Sequence, residues 1–455
     1  MSTDIDARLE AAFRAAAGII GEPEATEPRR DHRPVAARRD TRRLTGWYVP
    51  LAAAACALFV LAGSIALINH VRSDRPAHQP TASRLPPPSS AAPTASSTPA
   101  PTGLSGPSVQ SAQLLPSGVG YARTDTAVLI TADYGTSWTR VTPNGLTANQ
   151  LGSAAVTFRP DGTLLIATAS ANGQLVTVYR RAHDSGIWSQ STVPVSGLPA
   201  LVGAGYLPSL SFSDNDHGWL MVGMFITHIA TGALLQTKDG GASWVQTASA
   251  IQEAGPVTAM SSLDGFLTWP MNGWTFVSHD GGSSWARFTL TPPPGKQSDS
   301  VMPIGQPVVS GSAVVIAAQF ATADGPDGIG LYRSTDHGAT WTLTSRVPTQ
   351  ADESDVFTVQ LDGSYALLRS LLPVLGGPRT WTVSITSDAG RTFRDGASTI
   401  QVGDPVALWS AGGGKLWALT ADNGCQNGKS DCHATTGILA TSDGGASWQQ
   451  LHLPD

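Results

Sequence analysis

"TSDGGASWQQ" occupies residues 441–450, and variants of it recur along the chain. They read "TADYGTSW" at 131–138, "TKDGGASW" at 237–244, "SHDGGSSW" at 278–285, "STDHGATW" at 334–341 and "TSDAGRTF" at 386–393. The shared pattern is Ser/Thr, any residue, Asp, any residue, Gly, any residue, Ser/Thr, then Trp or Phe. A seventh stretch, "RAHDSGIW" at 181–188, keeps Asp184, Gly186 and Trp188 but is one residue tighter and lacks the hydroxyls. The aspartates Asp133, Asp184, Asp239, Asp280, Asp336, Asp388 and Asp443 are separated by 51, 55, 41, 56, 52 and 55 residues. A nearly constant period of this length predicts an array of one supersecondary unit.

The residue types explain the turn. A short Asp side chain accepts from backbone N–H groups two or more residues on. Glycine takes positive φ without penalty. The aromatic residue, Trp138, Trp188, Trp244, Trp285, Trp341, Phe393 or Trp448, starts the outgoing strand and is expected to bury between neighbouring units. A second marker, a Gly or Asp-Gly opening an apolar strand, precedes each turn, as in "DGTLLIATA" from 161, "HGWLMVG" from 217 and "GGKLWALT" from 413. Seven markers pair with seven turns, so each unit holds about four short strands. That is a propeller blade. The predicted fold is all-β, a seven-bladed β-propeller over 110–455. The first unit (110–143) and the last (402–453) each contain all four strands, so closure is expected to rest on packing and not on an exchanged strand.

These stretches resemble the Asp-box, or BNR, repeats of sialidase-like propellers, over roughly 110–453. "FSDNDHGWLMVG" at 212–223, followed by "TKDGGASW", also resembles one blade of the photosystem II assembly factor group. The resemblance implies that the boxes lie on peripheral turns, away from the central ligand face. It also implies what a sialidase would need: an Arg cluster, a Tyr nucleophile helped by Glu, an Asp acid/base and a Phe/Tyr-Arg-Ile-Pro motif near the first blade. "FRPDG" at 158–162 lacks the Ile and falls in the second unit, and reads as a hairpin turn. Glu is nearly absent from this region, with Glu253 and Glu353 alone. Nothing marks the carboxylate pair of an ordinary glycosidase, so no catalytic residue and no cofactor is assigned.

"DNDHG" at 214–218 opens like a calcium loop. The expected position 12 is Phe225 and not Glu, which rejects that site and leaves a strand-entry turn for His217. Most tryptophans read as blade core. Trp269 and Trp274, in "LTWPMNGWTF", are less regular and could present an aromatic surface.

Upstream of the repeats the composition changes twice. From Leu44 to Val71 there is no Asp, Glu, Lys or Arg, and Trp47 and Tyr48 sit at one end. The length suits a transmembrane helix over 46–71. Arg29, Arg30, Arg33, Arg38, Arg39, Arg42 and Arg43 precede it, which places 1–45 in the cytoplasm and the repeats outside the membrane. Within 1–45, Leu9, Ala12, Phe13, Ala16, Ile19 and Ile20 share one face of a short amphipathic helix that could dock a cytoplasmic protein. A short N-terminal helical segment, one span and an outer domain are also combined in anti-sigma factors, which this arrangement resembles in composition alone. Residues 72–109, rich in Pro, Ser, Ala and Thr, read as a disordered stalk.

An oxidising compartment would pair Cys425 with Cys432, six residues on in "CQNGKSDC". A zinc site would need two further ligands, and none stands at suitable spacing. The net charge of −6 on 455 residues is too mild for a nucleic-acid partner. The expectation is a single-pass, extracytoplasmic bacterial binding module for a protein or glycan, with an exo-acting glycoside hydrolase as the alternative.

Overall fold

A computed structural model describes residues 103–454, apart from 200–204, 227–228, 253, 269–274, 294–300, 311–312, 323–324, 348–355, 360–364, 372–379, 389–391, 402 and 423–434. The segments expected to form the cytoplasmic helix, the span and most of the stalk lie outside the described residues. So do Cys425, Cys432, Trp269, Trp274, Glu253 and Glu353. Among the described residues no helix is long and apolar enough to cross a membrane.

The chain forms seven four-stranded sheets, each built from one continuous stretch with its strands hydrogen-bonded in sequence order. Sheets 1 to 7 span 109–140, 155–194, 206–252, 257–287, 301–347, 356–395 and 404–450. Every strand pair is antiparallel, and first strands of neighbouring sheets touch around the ring, sheet 7 to sheet 1 included. The protein is an all-β, seven-bladed propeller. Among the described residues the one helix, Ala148–Gly152, lies between sheets 1 and 2 and starts on a Thr147–Gln150 capping box.

Burial follows position within each sheet. Second strands have sheets on both faces, so they are mostly apolar and buried without alternation, and a polar residue among them, such as Arg123, is buried and hydrogen-bonded. Gly120–Thr124 is buried at all five positions, and Leu164–Ala169 at all but the last. Fourth strands lie at the rim and are polar and exposed, as in Thr139–Arg140 and Ala286–Arg287. Apolar clusters fill the space between sheets. One joins Val109, Ala112 and Leu114 of sheet 1 to Trp417, Leu419 and Ile438 of sheet 7. No strand crosses that seam, so the ring closes by packing.

Candidate functional site

The turns that join third to fourth strands all lie at one end of the ring. In six of them the hydrogen bonds repeat almost atom for atom. The Thr131 hydroxyl donates to Asp133 Oδ1 at 2.7 Å and accepts the Gly135 N–H at 2.9 Å. Asp133 Oδ1 also accepts the Ser137 N–H at 2.8 Å, and Oδ2 accepts the Ser137 hydroxyl at 2.6 Å. The corresponding hydroxyl-to-carboxylate distance is 2.6 Å for Ser243–Asp239, Ser284–Asp280 and Ser447–Asp443, 2.5 Å for Thr340–Asp336 and 2.7 Å for Thr392–Asp388.

These donors stabilise the ionised carboxylate. The hydroxyl and N–H of Ser137, with Thr131, hold Asp133 down to about 2, and Thr340 and Ser334 do the same for Asp336. At Asp239 and Asp443 partial burial pushes the other way, but the turn donors outweigh it and the carboxyls stay below the usual range. A carboxylate held this acidic and already saturated is a poor general base or acid near neutral pH.

The aromatic residue closing each turn packs onto the preceding sheet. Trp285 meets Trp219 with ring centroids 5.9 Å apart, and Trp138 meets Trp417 at 5.6 Å. Trp341 stacks on Phe288 at 5.2 Å. Trp244 joins the cluster of Leu165 and Val178, Trp448 that of Trp381 and Val383, and Phe393 that of Val315 and Leu331.

Sheet 2 departs from the pattern. Its turn is closed by backbone bonds, Gly186 N–H to Ala182 O at 2.9 Å and Ala182 N–H to Ile187 O at 3.2 Å. Asp184 is exposed, and no partner for its carboxylate is seen among the described residues, although Trp188 still packs against sheet 1. The reason is that Ala182 and Ile187 stand where the other turns carry hydroxyls, and the one nearby hydroxyl, Ser185, accepts the Ile187 N–H at 3.3 Å.

The other polar constellations of this end are also engaged. "FRPDG" forms the hairpin between the first two strands of sheet 2. Arg159 is buried there, pairs with Asp161 and donates to Gly240 O of sheet 3 at 2.9 Å. Asp214 accepts the Asp216 and His217 N–H groups at 2.8 and 2.7 Å and meets His217 Nδ1 at 2.9 Å, a closed local turn. Asp264 of sheet 4 takes His279 Nδ1 at 2.9 Å and His337 Nδ1, from sheet 5, at 3.3 Å. Partial burial opposes the ionised form of Asp264, but His279, Ser261 and His337 keep its carboxyl below the usual range. Among the described residues no group of His, Cys, Asp or Glu is arranged to hold a metal ion.

Two residues here were not singled out by the sequence. Tyr134 and His337 have φ of 61° and 57°, and are the non-glycine residues at positive φ among those described. Each follows the turn aspartate, where sheets 3, 4 and 7 place Gly240, Gly281 and Gly444. A side chain in that conformation costs about 1–2 kcal/mol. In return each reaches another sheet: His337 meets Asp264, and the Lys415 ammonium lies 3.6 Å from the Tyr134 ring centroid. The detectable signal was a bulky residue at a turn position that elsewhere is glycine.

The axis is different in character. The seven first strands carry a single acidic or basic residue, Asp404. Gln110, Leu207, Val309 and Val406 are exposed along them. At the seam of sheets 7 and 1 a cavity of about 250 Å³ is lined by Asp133, Tyr134, Thr136, Lys415, Ser442 and Gln449, among others.

No family model matches the chain, and no curated protein matches it. Solved propellers are similar at low identity. One is from a study of two prolyl endopeptidases, at 11% identity, with 76% of this chain and 49% of that chain covered and a TM-score of 0.46. The Hadza microbial sialidase Hz136 gives 16%, 74% and 67%, with a TM-score of 0.34. An α-L-arabinanase of Penicillium chrysogenum gives 14%, 65% and 95%, with a TM-score of 0.37. The chain thus spans about half the length of the endopeptidase.

Proposed function

We propose that this chain is a membrane-anchored, extracytoplasmic propeller of the Asp-box (BNR) type that binds a protein or glycan partner without transforming it. In this reading residues 1–45 are cytoplasmic, 46–71 span the bilayer, 72–109 form the stalk and a Cys425–Cys432 disulfide staples one loop of a bacterial cell-surface module. The observation that carries it is the chemistry of the axis. First strands nearly free of ionisable groups offer hydrogen-bonding amides and hydroxyls beside apolar Leu207 and Val406, which suits recognition. Acid/base catalysis of glycoside cleavage needs two carboxyl groups around one bond, and six of the seven turn aspartates are committed to the hydroxyls and N–H groups of their own turns.

The test is a pair of assays on the same purified protein. Immobilised protein is screened for retention of glycans and of envelope proteins, and in parallel is incubated with fluorogenic glycosides, sialosides included. Saturable retention without turnover supports the binding reading. Turnover that survives removal of contaminating activities, with no retained partner, replaces it with an exo-acting glycoside hydrolase.

A further inference from the structure

Residues 103–108 precede the first strand of sheet 1 but do not belong to sheet 1. They run across sheet 7. Ser105 is tied to Gln450 on the outermost strand of that sheet in both directions: its N–H donates to Gln450 Oε1 at 3.2 Å, and its carbonyl accepts from Gln450 Nε2 at 2.6 Å. Leu104 packs onto the cluster in which Trp381 and Val383 of sheet 6 meet Leu439 and Trp448 of sheet 7, over Gly437, where an added Cβ would come within 3.0 Å of Leu104 Cδ2. Gly106, at φ 86°, turns the chain in open space. The Ser108 hydroxyl then meets the Thr436 hydroxyl at 2.8 Å, and Thr436 donates to Val109 O as the chain enters its first strand. The segment therefore passes over the fourth and third strands of the last sheet before starting the first.

The segment passes from that face of sheet 7 into the seam between sheets 7 and 1 at Ser108, and this seam has little else of a directional kind. Among the described residues no backbone–backbone hydrogen bond joins sheet 7 to sheet 1. The inner contacts are the apolar cluster around Trp417, the Trp417 Nε1 bond to Tyr134 O at 3.2 Å and the Lys415–Tyr134 contact. The cavity of about 250 Å³ opens into the same seam from the turn end.

We propose that residues 103–108 are a releasable clasp that holds the ring shut, so that withdrawing this segment loosens the seam between sheets 7 and 1 while every sheet stays folded. The clasp is made of exposed or half-buried residues held by side-chain bonds, which is the low-stability end of a structure. The first strand of sheet 1 is the next thing along the chain. A pull on the polypeptide before Gly103 is thus borne first by the Ser105–Gln450 pair and Leu104, and next by the seam itself. This inference stands apart from the binding reading and does not need it.

The test is amide hydrogen exchange on the full chain, comparing wild type, the Leu104→Ala/Gln450→Ala double variant and Gly437→Val, which fills the seat of Leu104. The result expected is exchange faster by roughly tenfold in 109–114 and 435–441, with 218–226 and 265–268 in sheets 3 and 4 unchanged. Unchanged protection at the seam overturns the proposal. So does an equal rise in all seven sheets, or loss of folding in the double variant, because a releasable clasp leaves the blades intact.

Discussion

The seam between sheets 7 and 1 and the seam between sheets 3 and 4 use the same central part. In each, a tryptophan closing the Asp–Gly turn packs on a buried tryptophan in the second strand of the preceding sheet: Trp138 on Trp417, and Trp285 on Trp219. Around that pair they differ. Sheets 3 and 4 are linked through 253–256, and their first strands are bonded directly, with Val257 and Ala259 N–H groups donating to the Ser209 and Ser211 hydroxyls at 3.1 and 3.0 Å. The closing seam has no chain link. It has a tyrosine where the other seam has Gly281, a lysine over that tyrosine, and a strap laid across the last sheet from outside. A ring built from contiguous blades meets its ends without covalent help, so side chains and a flanking segment supply what a linker supplies elsewhere.

The largest effect that would sharpen this comparison is truncation of the two inner tryptophans. Trp417→Ala and Trp219→Ala should each cost about 3–5 kcal/mol, read by urea denaturation. Exchange should rise in sheets 7 and 1 for the first variant, and in sheets 3 and 4 alone for the second. Equal spread from both would erase the distinction between the seams.

Next in size is the contrast between the hydroxyl-bearing turns and the turn of sheet 2. Asp443→Ala removes the acceptor of two Ser447 bonds and one from Thr441, and should cost about 1–2 kcal/mol. Asp184→Ala should fall within about 0.5 kcal/mol of wild type. A comparable loss at both positions would show that the aspartate acts in some way other than through its hydroxyl partners.

The same turns set an acid limit. Asp133 and Asp336 are depressed in the folded state to about 2, against an ordinary value of 3.8. A group lowered on folding binds fewer protons in the native state. Its contribution is complete above about pH 4 and is lost as pH falls toward 2. Stability measured from pH 5 to pH 2 should therefore decline with a slope that Asp133→Asn and Asp336→Asn make shallower. A slope unchanged by both substitutions would break the link between turn geometry and acid sensitivity.

The smallest effect concerns the two left-handed residues. Lys415→Ala should cost about 0.5–1 kcal/mol through the lost contact with Tyr134. His337→Gly relieves backbone strain and gives up an exposed pairing with Asp264, so it should be neutral or slightly stabilising by thermal denaturation. Strong destabilisation by His337→Gly would mean that the His337–Asp264 contact holds sheets 4 and 5 as firmly as the tryptophans do.

Most of the architecture was legible because its signals are local. A hydroxyl, an Asp and a Gly within five residues make one turn, and the turn recurs at the blade period whatever surrounds it. The odd spelling at 181–188 announced its odd geometry for the same reason. The inter-sheet ties were not legible: Arg159 to Gly240, His337 to Asp264 and Lys415 to Tyr134 join residues 81, 73 and 281 positions apart. No periodicity encodes which of many polar residues will face one another across a seam. The site showed the same division. That the turn aspartates are spoken for could be argued from their neighbours, whereas the near-absence of charge along the axis needed the knowledge of which strands are innermost.

By itself, then, the order of residues determined seven units, four strands in each, and the chemistry of the corner that ends every third strand, since all of these depend on contacts within a few residues. The tertiary structure alone decided which side chains shut the ring, which strands face the axis and where the segment before the first strand lies. Those depend on residues brought together from opposite ends of the propeller, where distance along the chain carries no information about distance in space.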